Sequence, residues 1–517
     1  MSDAIVKNLN FGEQARSEVF EGIEKLTQAV SSTLGASGKC VMLEDGQGKP
    51  IITKDGVTVA DSIILLDPVE NMGATLLKEA ARKTVKEAGD GTTTATVLSH
   101  AILRHANDRD DISTRDMKNG IDSAVKKVVA FLEDVSVEVT DDMLDHVATI
   151  SCNNDAELGK IIGDAFRSVD RTGVVMMETT EDSETSVEIV EGVEYDKGLV
   201  NSHFITSKTK RAAELENPLV LIVESPVENI RKIQSVLEFV IKNSKPLLII
   251  ADCEQAVTSA LAMNKVKGNI KVNVINAPTY GVSKKDTLSD LALLTGATVI
   301  NEDLGDDMDL IQPEHLGQAI KSVTTDTETI IQVDTDNPKI DELIDSLKEQ
   351  LSKTKNPGQV VKLEQRLARV SGKLAIVKVG ASSEIELKEK QDRVEDAICA
   401  TKAAVKEGIV SGGGIALLNA SQYIEADSKA EQVLLDSIQA PFKTILSNAG
   451  IDSYKIPDNV GEGLNVVTGN MVNMIQSGII DPLLVTKSAL RNAASVATTI
   501  LSTDCVINNL RINEGNR

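Results

Sequence analysis

The chain has 517 residues, and 54 Lys and Arg against 78 Asp and Glu leave a formal charge of −24, which argues against a general binder of nucleic acid or anionic membranes. At about 150 residues per domain the length predicts about three domains, and 41% apolar residues suffice for several cores. Seven Phe, four Tyr and no Trp exclude stacked-base recognition or an aromatic sugar platform as a main activity, so those cores are aliphatic.

Cys40, Cys152, Cys253, Cys399 and Cys505 are odd in number, scattered and without CxxC spacing, which suits a reducing compartment. The opening MSDAIVKNLNFGEQ lacks a basic-then-apolar signal, and no apolar run approaches the roughly 18 residues of a membrane helix. The expected location is cytoplasmic, with neither nucleic acid nor membrane as partner.

In chain order, Ala15, Val19, Ile23, Leu26, Val30 and Leu34 step by three or four, which predicts one helix face ending at Gly35. Met72, Leu76, Ala80 and Val85 predict a second face, with strand-like pieces at 40–43 and 50–53 between them. The middle alternates apolar runs at 219–223, 247–251, 272–275 and 298–300 with helix-period segments, which predicts an α/β layer domain. No GxGxxG follows these strands, so a dinucleotide site is not expected there. Ile340 through Leu351, the breaker Asn356-Pro357-Gly358 and Val360 through Val370 predict a helical hairpin. The C-terminal third is again Ala-rich and helical, so an α/β domain inserted into a helical one is expected.

The strongest local signal is Ala88-Gly89-Asp90-Gly91-Thr92-Thr93-Thr94-Ala95-Thr96. A glycine turn, hydroxyls and a helix start make either a phosphate cradle, with Asp90 able to hold Mg²⁺, or an ordinary capped helix. Thr53-Lys54-Asp55-Gly56 carries an acid on a tight turn, which a bare hairpin would also explain. Arg393-Val394-Glu395-Asp396-Ala397 precedes Ser411-Gly412-Gly413-Gly414, whose glycines admit close approach of a ligand or of another helix. His100, His105, His146, His203 and His315 show no paired metal spacing, and the acidic run at 302–307 lacks the EF-hand pattern.

Taken together, TLGASGKCVMLED, ITKDGVTVADSI, ENMGATLLKEAARKTVKEAGDGTTTATVL, RVEDAICATKAAVKEGIVSGGG and GIIDPLLVTKSALRNAASVA resemble the group I (GroEL-type) chaperonins over nearly the whole chain. TKDGVTVA and VEGVEYDKGL point to the group I branch rather than to the archaeal and eukaryotic cytosolic one. The resemblance implies a multidomain α+β and α/β architecture. A mainly helical equatorial ATPase domain would cover 1–135 and 409–517, a small intermediate domain 136–190 and 374–408, and an inserted α/β apical client-binding domain 191–373.

It further implies ATP, Mg²⁺ and K⁺ as cofactors. Asp90 matches the magnesium aspartate and Gly91, Thr92, Thr93 and Thr94 the phosphate loop, while Asp55 and Asp396 match the acids that orient the attacking water. Thr33, Lys54 and Thr93 match potassium ligands; Thr33, Leu34, Gly35, Lys54, Ser151, Gly413, Asn465 and Asp481 fall at nucleotide contacts. Leu199, Phe204, Ile233, Leu237, Leu261 and Met263 are the expected client-binding residues. Partners would be further copies in a heptameric ring, unfolded proteins and a lid-forming co-chaperonin.

The chain departs from that pattern as a divergent member. Ala36-Ser37 stand where the family has Pro-Lys, the segment around Asn465 is about three residues short, and the Gly-Met tail is absent. His203, Gln234 and Thr258 make the client groove more polar, and a hinge glycine pair becomes Gly372-Lys373 while Gly192 is kept. The expected function is ATP-dependent capture and folding of non-native proteins in a central cavity. The alternative is a chaperonin-derived ATPase devoted to one client or to scaffolding; a metabolic phosphotransferase lacks a supporting pocket motif.

Overall fold

The computed structural model describes residues 7–509 except 45–47, 153, 170–173, 181, 196, 208–210, 278–281, 303–305, 307–310, 334–337, 354–358, 360–362, 364–365, 368–369, 371–372, 453, 455–456 and 458. The breaker at 356–358, Val360, Gly372, most of the acidic run and the chain end at 510–517 therefore lie outside the described residues. Two compact units result. One joins Met1–Asp164, Thr179–Ser186 and Val379–Arg517, and the other, Ala165–Glu178 with Val187–Lys378, interrupts it.

The first unit begins with strand β1 (Lys7–Phe11) and helix α1 (Gly12–Ser31), which buries Ala15, Val19, Ile23, Leu26 and Val30 as its period requires. The helix stops short of Gly35 because the Thr33 and Leu34 N–H groups turn back onto the Val30 and Ser31 carbonyls. An antiparallel ribbon, β2 (Val41–Glu44) with β3 (Pro50–Thr53), leads to α2 (Gly56–Ser62) and α3 (Pro68–Ala88). The expected face of α3 is corrected in part: Ala80 is buried as expected, but Met72 and Leu76 are each 38% exposed, and Val69, Gly73, Ala74, Leu77, Ala81 and Thr84 are buried instead.

Small residues occupy that face because α1 and α3 nearly touch. A Cβ on Gly73 would lie 2.1 Å from the Val19 carbonyl oxygen, and one on Gly22 1.9 Å from that of Glu70. Gly73→Ala must push the two backbones apart, at about 1–3 kcal/mol. A circular-dichroism melt of the purified variant is expected to show a midpoint several degrees lower; an unchanged midpoint would show that the contact yields freely. Helices α4 (Thr92–Asn107), α5 (Thr114–Asp134), α6 (Asp141–Ser151) and α7 (Ala156–Ser168) follow.

The inserted unit opens with β4 (Val174–Thr179), β5 (Ser186–Tyr195) and β6 (Ala213–Glu216). The expected buried strands then form: β7 (Leu219–Val223), α8 (Gln234–Lys242), β8 (Leu247–Ile250), α9 (Gln255–Val266), β9 (Val272–Ile275), α10 (Val282–Thr295) and β10 (Val299–Ile300). Order β10-β7-β8-β9 is parallel throughout, with β11 (Gly317–Gln318) added antiparallel to β7. Near-continuous aliphatic strands are what a sheet covered on both faces demands.

A second sheet, ordered β4-β14-β5-β13-β12-β6, adds β12 (Lys321–Thr324), β13 (Thr329–Gln332) and β14 (Lys373–Val379). Gly192 sits within β5, where a Cβ would lie 2.1 Å from Leu374 Cδ1. Helix α11 (Pro338–Lys353), the first arm of the predicted hairpin, buries Ile340 and Leu347 beside Leu288 and Leu291 of α10. The second arm is described only in part. Its Arg366 holds Asp290 of α10 in a bidentate pair at 2.7 and 2.8 Å, so the hairpin packs rather than projects.

Back in the first unit come α12 (Glu384–Glu407), β15 (Ile409–Ser411), α13 (Ile415–Tyr423), α14 (Lys429–Ser437) and α15 (Ala440–Asn448). The hairpin β16 (Glu462–Asn465) with β17 (Asn470–Asn473), then β18 (Ile480–Pro482), α16 (Leu483–Leu501) and β19 (Cys505–Asn509), complete it. β19 pairs antiparallel with β1, so the two described ends of the chain close on each other. Between α12 and β15 stands Gly408 at φ +89°, and Val137 and Ile409 exchange N–H to carbonyl bonds of 2.9 Å beside it. Lys487 of α16 pairs with Glu407 at 2.6 Å and Glu133 at 2.9 Å, which fixes the end of α12.

Candidate functional site

Asp55 takes the chain from β3 into α2. It is a helix N-cap rather than a bare hairpin acid: Oδ1 accepts from the Val57 N–H at 3.0 Å, and Oδ2 from the Thr58 N–H at 2.8 Å and the Thr58 hydroxyl at 2.6 Å. These bonds fix its carboxylate in one orientation. Gly56 beside it allows close approach, since a Cβ there would lie 2.4 Å from Thr93 Oγ1. The Thr33 and Thr93 hydroxyls lie 3.4 Å apart, so the loops after α1, before α2 and before α4 converge. Asn448 Nδ2 holds the first of these loops by donating to the Ser31 and Leu34 carbonyls, each at 2.9 Å.

Helix α3 ends at Gly89 (φ +76°), and the N-cap of α4 is Gly91 (φ +98°), which brings no side-chain acceptor to the first turn. Asp90 accepts the Gly91 N–H and does not cap the helix. The first N–H groups of α4 have no side-chain cap, and Thr92, Thr93 and Thr94 line the cavity before them.

Opposite stands α12, which presents Lys388, Glu389, Asp392, Arg393 and Asp396 at helical spacing. Gly413 (φ +65°) and Gly414 (φ +75°) aim their N–H groups at Asp481. Asn465 turns its Oδ1 onto the Val467 and Thr468 N–H groups at 3.0 and 3.2 Å, so only its amide nitrogen is left to meet a ligand. All these elements belong to the first unit and enclose a cavity of about 1120 Å³. Thr33, Leu34, Gly35, Lys54, Asp55, Asp90, Gly91, Thr92, Thr93, Thr94, Ser151, Asp396, Gly413, Asn465 and Asp481 all line it. Asp392 and His146 line it too, though nothing in the motifs singled them out.

The cavity is electrostatically tense. Burial pushes Asp90 upward, the Gly91 N–H pulls it back, and Asp55 raises it again. Burial, then Asp90 and Asp55, hold Asp396 well above the carboxylate range. Burial and then Asp90 lift Asp481 to about 7 against the two glycine N–H groups, and burial with Asp55 lifts Asp392 to about 6. A hard divalent cation suits this donor set. Among the described residues no three His, Cys, Asp or Glu side chains stand together as a metal cluster, so phosphate oxygens and water would have to complete the shell around Asp90.

Because Asp481 binds its proton more tightly folded than unfolded, its contribution to stability is full at low pH and is lost as pH rises through about 7. In protein stripped of nucleotide and metal, Asp481→Asn is expected to gain more stability at pH 8 than at pH 5, by about 1–2 kcal/mol, because the loss sets in above the unfolded value and is complete only above about 7. Thermal melts at the two pH values check this, and an equal gain at both would remove ionisation as the cause.

The profile of the TCP-1/cpn60 chaperonin family matches residues 26–511. The chain belongs to that family. Among solved structures, the chaperonin gp146 from the bacteriophage EL 2 (Pseudomonas aeruginosa), crystallised in presence of ATP-BeFx, is 22% identical. Its crystal form II gives a TM-score of 0.75 over 99% of this chain and 100% of that one; crystal form I gives 0.65 over 97% and 99%. The likeness gives this chaperonin the GroEL-like multidomain fold.

The chaperonin's inserted unit corrects the expected client surface. Phe204, Ile233 and Leu261 are fully buried in the aliphatic core with Val236, Val240 and Val257, so no client reaches them in this conformation. Leu199 and Leu237 are half-buried, and of the six only Met263 is openly exposed. Ile233, just before α8, and Val236 and Val240 on it point inward, and the 3.6-residue period leaves Gln234 and Glu238 outside, bonded to each other at 2.7 Å. Ile241 and Val266, which carried no sequence motif, are 50% and 62% exposed.

Proposed function

We propose that this chaperonin is an ATPase of the group I kind that assembles into a ring and captures non-native proteins. The observation that carries the reading is one cavity in which the uncapped start of α4 meets Asp90, Asp55 and Asp396. The first-turn N–H groups and Thr92 to Thr94 receive phosphate oxygens, and Asp90 would hold Mg²⁺, which supplies charge neutralisation on the phosphates. Asp55 and Asp396 accept hydrogen bonds from the attacking water and orient it. Thr33 and Thr93, with the carbonyl of Lys54, would hold K⁺; the ammonium of Lys54 cannot. Leu34, Gly35, Ser151, Gly413, Asn465 and Asp481 form the nucleoside side. The ATP-BeFx used with gp146 supports the nucleotide assignment.

Self-assembly is supported by two short ribbons with open edges, β1 with β19 and β2 with β3, which carry exposed Leu9, Phe11, Met42 and Ile52. We extend the reading to the three-domain division, a heptameric ring, a lid-forming co-chaperonin and a reducing cytoplasmic setting. Among the described residues all five cysteines are free, and no helix is long and apolar enough to cross a membrane.

A second reading, service to one client or a scaffolding role, is favoured by how few large apolar side chains the described residues of the inserted unit expose: Ile189, Ile241, Met263, Val266 and Ile320. Electron microscopy of the purified chain, with ATP hydrolysis and capture of several unrelated unfolded proteins measured alongside, tests both. Rings that hydrolyse ATP and hold every client support the first reading; rings that hold none support the second; monomers without hydrolysis overturn both. Met263→Ser with Ile241→Ser is expected to weaken capture about tenfold while ATP hydrolysis stays unchanged, because roughly two aliphatic contacts per site are lost.

A further inference from the structure

Asp392 lines the cavity but has no task in the reading above. It stands on α12 one turn before Asp396 and one turn after Lys388, and is half-buried. Donors surround the neighbouring acids: three hold Asp55, two backbone N–H groups hold Asp481, and one holds Asp90. No hydrogen bond or ion pair reaches the Asp392 carboxylate among the described residues. Arg393 beside it is committed to Glu389 at 3.1 Å and to Asp155 at 3.7 Å.

The charge nearest to Asp392 in effect is Asp55, a like charge, with Lys388 opposing it. A half-buried carboxylate without a donor, facing another acid, costs stability, and such groups concentrate where the charge has a use. Its proton is held only to about 6, so the carboxylate is ionised at neutral pH.

We propose that Asp392 is a positioning residue whose negative charge, set against Asp55 across the cavity, turns away nucleotide that arrives without its divalent cation. The inference rests on the nucleotide reading. Free ATP carries about four negative charges near pH 7.5 and its magnesium complex about two, so a fixed carboxylate repels the first about twice as strongly. The residue that orients water, Asp396, lies one turn away on the same rigid helix. A nucleotide that enters bare would therefore meet that repulsion beside Asp396, whereas the metal complex meets about half of it.

The test is calorimetric titration of the full-length protein with ATP in EDTA and with ATP in excess magnesium, for wild type, Asp392→Asn and Asp392→Glu. The asparagine variant is expected to bind metal-free ATP about tenfold more tightly and the magnesium complex at most about threefold more tightly, so discrimination between the two falls. The glutamate variant keeps the charge and is expected to keep the wild-type ratio. An unchanged ratio in Asp392→Asn overturns the proposal, as does an equal collapse in Asp392→Glu, which would assign the effect to shape. Should Asp392→Asn fail to fold, Asp392→Ser serves the same comparison. Wild type that binds neither form overturns the nucleotide reading itself.

Discussion

Asp396→Ala is expected to cut steady-state ATP hydrolysis by about 10²–10³-fold while ATP affinity stays within about threefold. The reason is the division of labour between the walls. The groups that would receive phosphate belong to the start of α4 and to the Asp90 loop, and the alanine touches none of them. Among the described residues no donor reaches Asp396 on α12, and its upward shift comes from burial and from Asp90 and Asp55. With a cation held at Asp90, the repulsion from Asp90 and Asp55 on Asp396 would be offset and its carboxylate could accept a hydrogen bond from water. Turnover by coupled assay and affinity by calorimetry separate the two quantities. Wild-type turnover would remove Asp396 from the mechanism, and a matched loss of affinity would make it a binding residue.

Asp90→Ala is expected to act on the other quantity. Affinity for ATP in magnesium should fall about 10–100-fold while affinity in EDTA holds or improves, since the deleted carboxylate repels bare nucleotide. The loop itself should survive, because Gly89 and Gly91 set its course through their left-handed backbone and Asp90 contributes only one local bond. An equal loss with and without metal would show that the substitution damaged the turn rather than a cation ligand.

Much of the cavity lining was legible because its residues sit where glycine is required and the motif is therefore dense: Gly89-Asp90-Gly91 and Gly413-Gly414 by their positive φ, and Asp55-Gly56 by the close approach of Thr93. The aliphatic strands of the inserted sheet were legible for a different reason, since burial on both faces leaves no room for polar residues. The errors share one cause. Periodicity says that a helix has an apolar face but not what covers it, so Ile233 and Leu261 read as client contacts when they are core. Met72 and Leu76 read as core when Gly73 and Ala74 had already taken that place against α1. Asp392 escaped notice because an acid within KEKQDRVED looks like any solvated helix charge; only the folded chain shows which turn faces the cavity.

The left-handed Gly408 gives α12 a mechanical property. Its end is pinned by Lys487 and by the Val137–Ile409 exchange, and along its length the helix packs on α6 and α16, so a rotation about Gly408 would have to carry or repack those neighbours. Asp396 lies twelve residues from that point, about 18 Å along the rod at 1.5 Å per residue. A swing of about 10° at Gly408 would therefore carry Asp396 through ~3 Å, the span of one hydrogen bond. Leverage of that size would, on the proposed reading, make the position of Asp396 sensitive to a small rotation, with the packing of α12 on α6 and α16 setting how far that rotation can go.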